Sequence, residues 1–95
     1  MGLIVFNYGK AMRQAERLQE IARKVQAVGD GDMEVALANV NRSWNGENAS
    51  EFIKKGHKLA EDTKAMGKDL EKIAETIREI ARQIEAAEQA AKALL

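Results

Sequence analysis

Ser43-Trp44-Asn45-Gly46-Glu47-Asn48-Ala49-Ser50 lies near the middle of a 95-residue chain and holds its only Trp. On each side of it apolar residues recur at helical spacing. Inside it that spacing fails and turn and cap formers take over. Gly46 is free to adopt a left-handed conformation, which suits a position just past a helix end. Asn48 followed by Glu51 has the pattern of a capping box, in which each side chain satisfies an orphan backbone N–H of a new helix. The chain therefore reads as one helix, a tight turn at Trp44–Gly46, and a second, longer helix returning beside the first.

The second arm carries the strongest periodic signal. Phe52, Gly56, Leu59, Thr63, Met66, Leu70, Ile73, Ile77, Ile80, Ile84, Ala87, Ala91 and Leu94 alternate steps of four and three without a slip. That repeat drives left-handed coiled-coil packing. A second row, Ile53, Ala60, Gly67, Ala74 and Ala81, lies beside it, and all but Ile53 are small. Small residues let a neighbouring helix approach closely. An arm from Glu47 to Lys92 would be about 69 Å long. A lone helical hairpin would leave part of so wide a stripe in water, and dimerisation into a four-helix bundle is the simplest remedy. Phe52, Leu59, Met66, Leu70, Ile73, Ile77, Ile80 and Ile84 are the expected seam of that bundle.

The first arm reads as helix from about Phe6 to Val28. Ala11, Ala15, Leu18, Ala22 and Val25 form its stripe, flanked by Met12 and Ile21. Gly29-Asp30-Gly31-Asp32 interrupts it, since each Gly costs roughly 1 kcal/mol relative to Ala inside a helix. A kink or break is expected near Gly29–Gly31, with Asp30 or Asp32 capping a fresh start. Met33, Leu37, Val40 and Trp44 then resume the spacing. Together these signals predict an all-α fold: a helix-turn-helix hairpin with long antiparallel helices, dimerising, in a single domain spanning residues 1–95.

Composition narrows the function classes. Lys+Arg and Asp+Glu both number 15, so the formal net charge is zero and the basic excess of a nucleic-acid binder is missing. There is no Cys, hence no disulfide framework or thiolate site. Leu3-Ile4-Val5-Phe6 is too short a run for a signal peptide or a membrane span. His57 is the only His and sits beside Gly56, where solvated surface is the expected role; no transition-metal site is expected. Asp30 and Asp32 lack the oxygen-bearing positions that a calcium loop needs after them. Ser43 and Ser50 have no base and orienter within the pattern, so nucleophilic catalysis is not expected. No glycine-rich phosphate loop is present. The expected protein is not an enzyme and carries no cofactor.

Trp44-Asn45-Gly46, followed by Glu47-Asn48-Ala49 at the tip of a helical hairpin of this length, resembles the WXG family of small type VII secretion proteins, relatives of the mycobacterial early secreted antigen. The resemblance implies a small secretion substrate, or a co-secreted partner, from a Gram-positive bacterium. It implies release by a route without a cleaved signal peptide, or residence in the cytoplasm before export. It implies that Trp44 and Gly46 form a recognition tip read by a secretion ATPase of the FtsK/SpoIIIE type. The implied partner is a second copy or another small helical hairpin. Family members carry Tyr-x-x-x-Asp/Glu after the second helix, whereas the only Tyr here is Tyr8. The nearest tail match, Ile84-Glu85-Ala86-Ala87-Glu88, keeps Ile84 and Glu88 as a degenerate signal, so a partner would supply the missing half. Two other readings remain open. One is a dedicated targeting partner of an LXG-domain toxin. The other is a membrane-active amphipathic protein, which zero net charge and an unbroken seam disfavour. Against the recognition role of Trp44 stands a packing role, locking the tip against Phe52 or a partner helix.

Overall fold

The computed structural model describes residues 6–44 and 46–95 of the chain. Of the Leu3–Phe6 run only Phe6 is among them, and Asn45 of the tip lies outside them. The described residues are all-helical apart from short connections. They form α1 (Tyr8–Ala27), a π-helical segment (Val28–Asp32), α2 (Met33–Ser43) and α3 (Glu47–Ala93). The molecule is extended, 75 × 20 × 15 Å.

α1 begins two residues later than its apolar pattern, because Asn7 is the cap. Its Oδ1 accepts the backbone N–H of Lys10 at 2.9 Å, satisfying one of the orphan donors of a helix start. Phe6 lies outside the helix, and its N–H donates to Glu88 Oε1 at 3.2 Å. α3 also starts without the expected capping box. Gly46 is its N-cap, and no side chain caps it. The helix begins at Glu47, so Asn48 and Glu51 are already inside it. Gly46 does take a positive φ, 107°, but with an extended ψ of −178° that places it at the entry of α3 rather than in a left-handed turn at the end of α2.

At Gly29–Gly31 the first arm neither breaks nor restarts. It widens into one π-helical turn, and neither Asp30 nor Asp32 caps a new helix. The reason lies in the buried row. Ala15, Ala22 and Gly29 are buried at intervals of seven, and the next buried residue is Leu37, eight positions on. One extra residue must be absorbed between them, and a π turn absorbs one. The bulge rotates α2 about the arm's axis, so Met33, Leu37 and Val40 stay turned toward α3 while Val35 is left 62% exposed.

α3 lies against both α1 and α2 and runs the opposite way. A Cβ on Gly67 would lie 2.9 Å from the Ala22 carbonyl oxygen, and one on Gly29 would lie 2.6 Å from that of Ala60. Gln26 donates to Glu71 at 3.0 Å, and Trp44 meets Phe52 beyond the end of α2. The core between the arms is thus a ladder of small residues: Ala15, Ala22 and Gly29 against Ala60, Gly67, Ala74 and Ala81. No large side chain is fully buried among the described residues. Stability in such a core comes from close backbone approach and summed dispersion contacts rather than from bulky burial.

Gly31 provides a contrast with these tight glycines. An added Cβ there would meet nothing within 4 Å, and its φ is not positive. Gly31→Ala is therefore expected to raise stability by up to about 1 kcal/mol, through the ordinary Gly-to-Ala helix preference. Chemical denaturation followed by circular dichroism checks this; a lower midpoint would mean that the bulge needs the freedom of glycine.

Candidate functional site: an apolar face with an exposed tip

Each arm has two sides flanking its buried row. With 3.6 residues per turn, the residue just before a buried position is turned about 100° one way, and the residue four before it about 40° the same way. The residue four after it is turned about 40° the other way. On α3 the first set is Leu59, Met66, Ile73 and Ile80, and the second is Gly56, Thr63, Leu70 and Ile77. On α1 the corresponding sets are Ile21 with Val28, and Ala11, Leu18 and Val25. Because the arms are antiparallel, these sets lie on one side of the molecule.

The other side is polar and ties the arms together. Arg78 donates to Gln19 and to Glu75 at 3.0 Å. Gln26 bonds Glu71, and Lys64 pairs with Asp30 at 3.2 Å. His57 Nδ1 lies 3.1 Å from the Glu34 carboxylate. His57 is thus engaged across the arms rather than merely solvated. These partly exposed pairs contribute little each, about 0–1 kcal/mol, and they fix alignment more than stability.

Among the described residues the apolar side has no such closure. Leu59 is 58% exposed, and Ile73 and Ile80 are each 49% exposed. Met66, Phe52, Ile21 and Val28 are exposed as well, while Leu70 and Ile77 are half-buried. The expected seam therefore divides. The Gly56–Ile77 set leans onto the first arm, and the Phe52–Ile80 set is turned outward beside it, half exposed. The fully buried row is the small one, not the seam. Ile84, still 37% exposed, extends the stripe toward the tail. Large contiguous apolar surfaces on a soluble chain mark sites of association.

The tip end of this face is concave. Met33, Ala36, Leu37, Val40, Phe52, Gly56 and Leu59 line a groove of about 240 Å³ with almost no polar surface. Its floor is Leu37, which packs directly onto Gly56. Trp44 and Phe52 sit at its rim with ring centroids 5.6 Å apart and planes tilted by 40°, a favourable aromatic geometry. Trp44 remains 55% exposed. It packs against Phe52 and still presents half its surface to solvent. Of the tail residues, Glu88 is half-buried and holds the Phe6 N–H, a role that spacing could not reveal because the two lie 82 positions apart.

Among the described residues no group of three or more His, Cys, Asp or Glu side chains could hold a metal ion. Among them, too, no helix is long and apolar enough to cross a membrane. No protein-family model, curated protein or solved structure matches this chain.

Proposed function

We propose that this chain is a non-enzymatic helical-hairpin protein that works by pairing its apolar face with a second helical hairpin and presenting Trp44 at the tip. In the WXG-type reading it is a type VII secretion substrate, or the co-secreted partner of one. The observation that carries this reading is the apolar face running from Phe52 to Ile84, left open among the described residues, with an exposed Trp two positions before a Gly of positive φ at its end. From Phe52 to Ile84 the face runs along about 48 Å of helix, and two helices wide, within a molecule 20 × 15 Å in cross-section, it offers on the order of 800 Å² per copy, the scale of stable interfaces. The secretion assignment itself rests on Trp44-Asn45-Gly46 and its placement between two helical arms.

The tip supplies the test. Trp44 is half exposed and touches Phe52, so Trp44→Phe should keep helicity and association, with a stability change below about 1.5 kcal/mol. If the indole is read during export, the same variant should show a clear fall in secreted protein on a blot of culture supernatant. Equal secretion of Trp44→Phe and the parent chain would confine Trp44 to packing. Because Tyr8 is the only Tyr, export is expected to require a co-expressed partner that carries the tail signal. Efficient export of this chain alone would remove that expectation.

A further inference from the structure

Resting on the pairing reading above, we propose that Met66 is an oxidation site that decides whether the face is ever covered. A peroxide converts its thioether to the sulfoxide while the face is open, and the sulfoxide then keeps a second hairpin off. Exposure selects this residue. Among the described residues Met66 is the one exposed methionine, with 59% of its surface open, whereas Met12 and Met33 are half-buried. An oxidant must reach the sulfur, so Met66 reacts first. Its position gives the reaction a consequence. The midpoint between Phe52 and Ile84 is residue 68, which sets Met66 near the centre of the face. Contacts of Gly67 with Ala22 and Gln26 place it level with Val25 on the first arm. Thr63 and Leu70 flank it on α3, and Ile21 and Val25 on α1. The centre of an interface is its driest part, where a polar group is least tolerated. The Thr63 hydroxyl already donates to the Leu59 carbonyl oxygen at 2.8 Å, and the other flanking side chains are apolar.

Hydrogen peroxide balances the step. A sulfur lone pair of Met66 attacks one peroxide oxygen. The S–O bond forms, the O–O bond breaks and hydroxide leaves. The proton left on the new S–O–H group passes to that hydroxide, giving the sulfoxide and one water. Sulfur loses two electrons and the peroxide gains them. The product turns a soft apolar edge into a polar hydrogen-bond acceptor. On the open chain that acceptor is hydrated, and the hairpin keeps its fold. Under a second hairpin it is buried among aliphatic side chains without a donor, which burial penalises. The order of events therefore decides the outcome. A chain that pairs first shields its sulfur. A chain oxidised first stays unpaired until a methionine sulfoxide reductase returns the sulfide.

Dilute hydrogen peroxide, peptide mass mapping and light scattering test this on the full chain, with a second copy as the partner. Before treatment the parent chain should show a dimer mass at micromolar concentration. At nanomolar concentration, where the pair is dissociated, Met66 should oxidise several-fold faster than Met12 and Met33. That advantage should vanish at concentrations where the chain is paired. The chain oxidised at Met66 should keep its helical circular dichroism and bind its copy at least about tenfold more weakly. Met66→Leu, a volume-conserving exchange, should pair like the parent and stay paired after peroxide. Met66→Gln should weaken pairing with no peroxide added. A dimer that persists with unchanged affinity after full oxidation of Met66 overturns the proposal and leaves pairing standing. Loss of pairing in peroxide-treated Met66→Leu also overturns it, because the effect then belongs to another methionine. A monomer mass before any treatment overturns the pairing reading and this proposal with it.

Discussion

Gly67→Val is expected to unfold this chain or bring it to the edge of unfolding. A Cβ at Gly67 would lie 2.5 Å from Gln26 Cγ, 2.9 Å from the Ala22 carbonyl oxygen and 2.9 Å from the Gln26 nitrogen. Two of those three atoms are backbone and cannot swing away as a side-chain end can. The added methyls must push the arms apart, and the neighbouring Ala22 and Ala74, both fully buried, lose their contacts with them. Overpacking costs about 1–3 kcal/mol at sites that can relax. Here the loss should reach about 3 kcal/mol or more, against roughly 5–15 kcal/mol of total stability for a typical domain. Thermal melts by circular dichroism should show a large fall in midpoint, or no cooperative transition. Gly56→Ala is the matched control, because there the added methyl would meet the flexible end of Leu37 instead of backbone. It should cost clearly less. Equal melting of Gly67→Val and the parent chain would mean that the two arms are not packed on the small-residue ladder.

Ile80→Asp is expected to abolish association while leaving each chain helical. Ile80 is half exposed within the single chain, so a carboxylate there can stay hydrated and costs the isolated chain little. In a paired molecule the same carboxylate is pressed against apolar side chains without a partner, a penalty of several kcal/mol. A two-fold arrangement incurs it twice. Four kcal/mol is about a thousandfold in Kd, enough to convert a micromolar dimer into monomer at any practical concentration. Sedimentation or light scattering should report the monomer mass with helical content nearly intact. Ile77→Asp, on the half-buried set that leans onto the first arm, should weaken both association and folding. A dimer that survives Ile80→Asp would remove this face from the interface.

Much of this architecture is legible in the chain itself. Unbroken four-three spacing from Phe52 to Leu94 and the absence of Pro leave α3 no other conformation, and the all-α fold is the consequence. Two glycines, at positions 29 and 31, locate the disturbance in the first arm. Its form is not legible, because a break and a π turn use the same weak helix formers. Only the buried row, stepping from Gly29 to Leu37, requires one extra residue to be absorbed without a restart. The start of α3 is hidden for a related reason. Asn48 and Glu51 have cap chemistry, but Gly46 reaches the entry conformation first and the helix closes ahead of them.

Which apolar row faces inward is the larger question left to tertiary structure. Ala60, Gly67, Ala74 and Ala81 recur every seven residues, and so do Leu59, Met66, Ile73 and Ile80. Periodicity weighs both rows alike, and hydrophobicity favours the larger one. The first arm resolves the tie, because Ala15, Ala22 and Gly29 offer no bulk to interlock with isoleucine but do permit backbone contact with the small row. Close approach then turns the large row outward by about 100°, the angle of a single residue step. The sequence by itself determined that two apolar rows exist and that one helix cannot bury both. Only the meeting of two backbones decided which row would be left exposed.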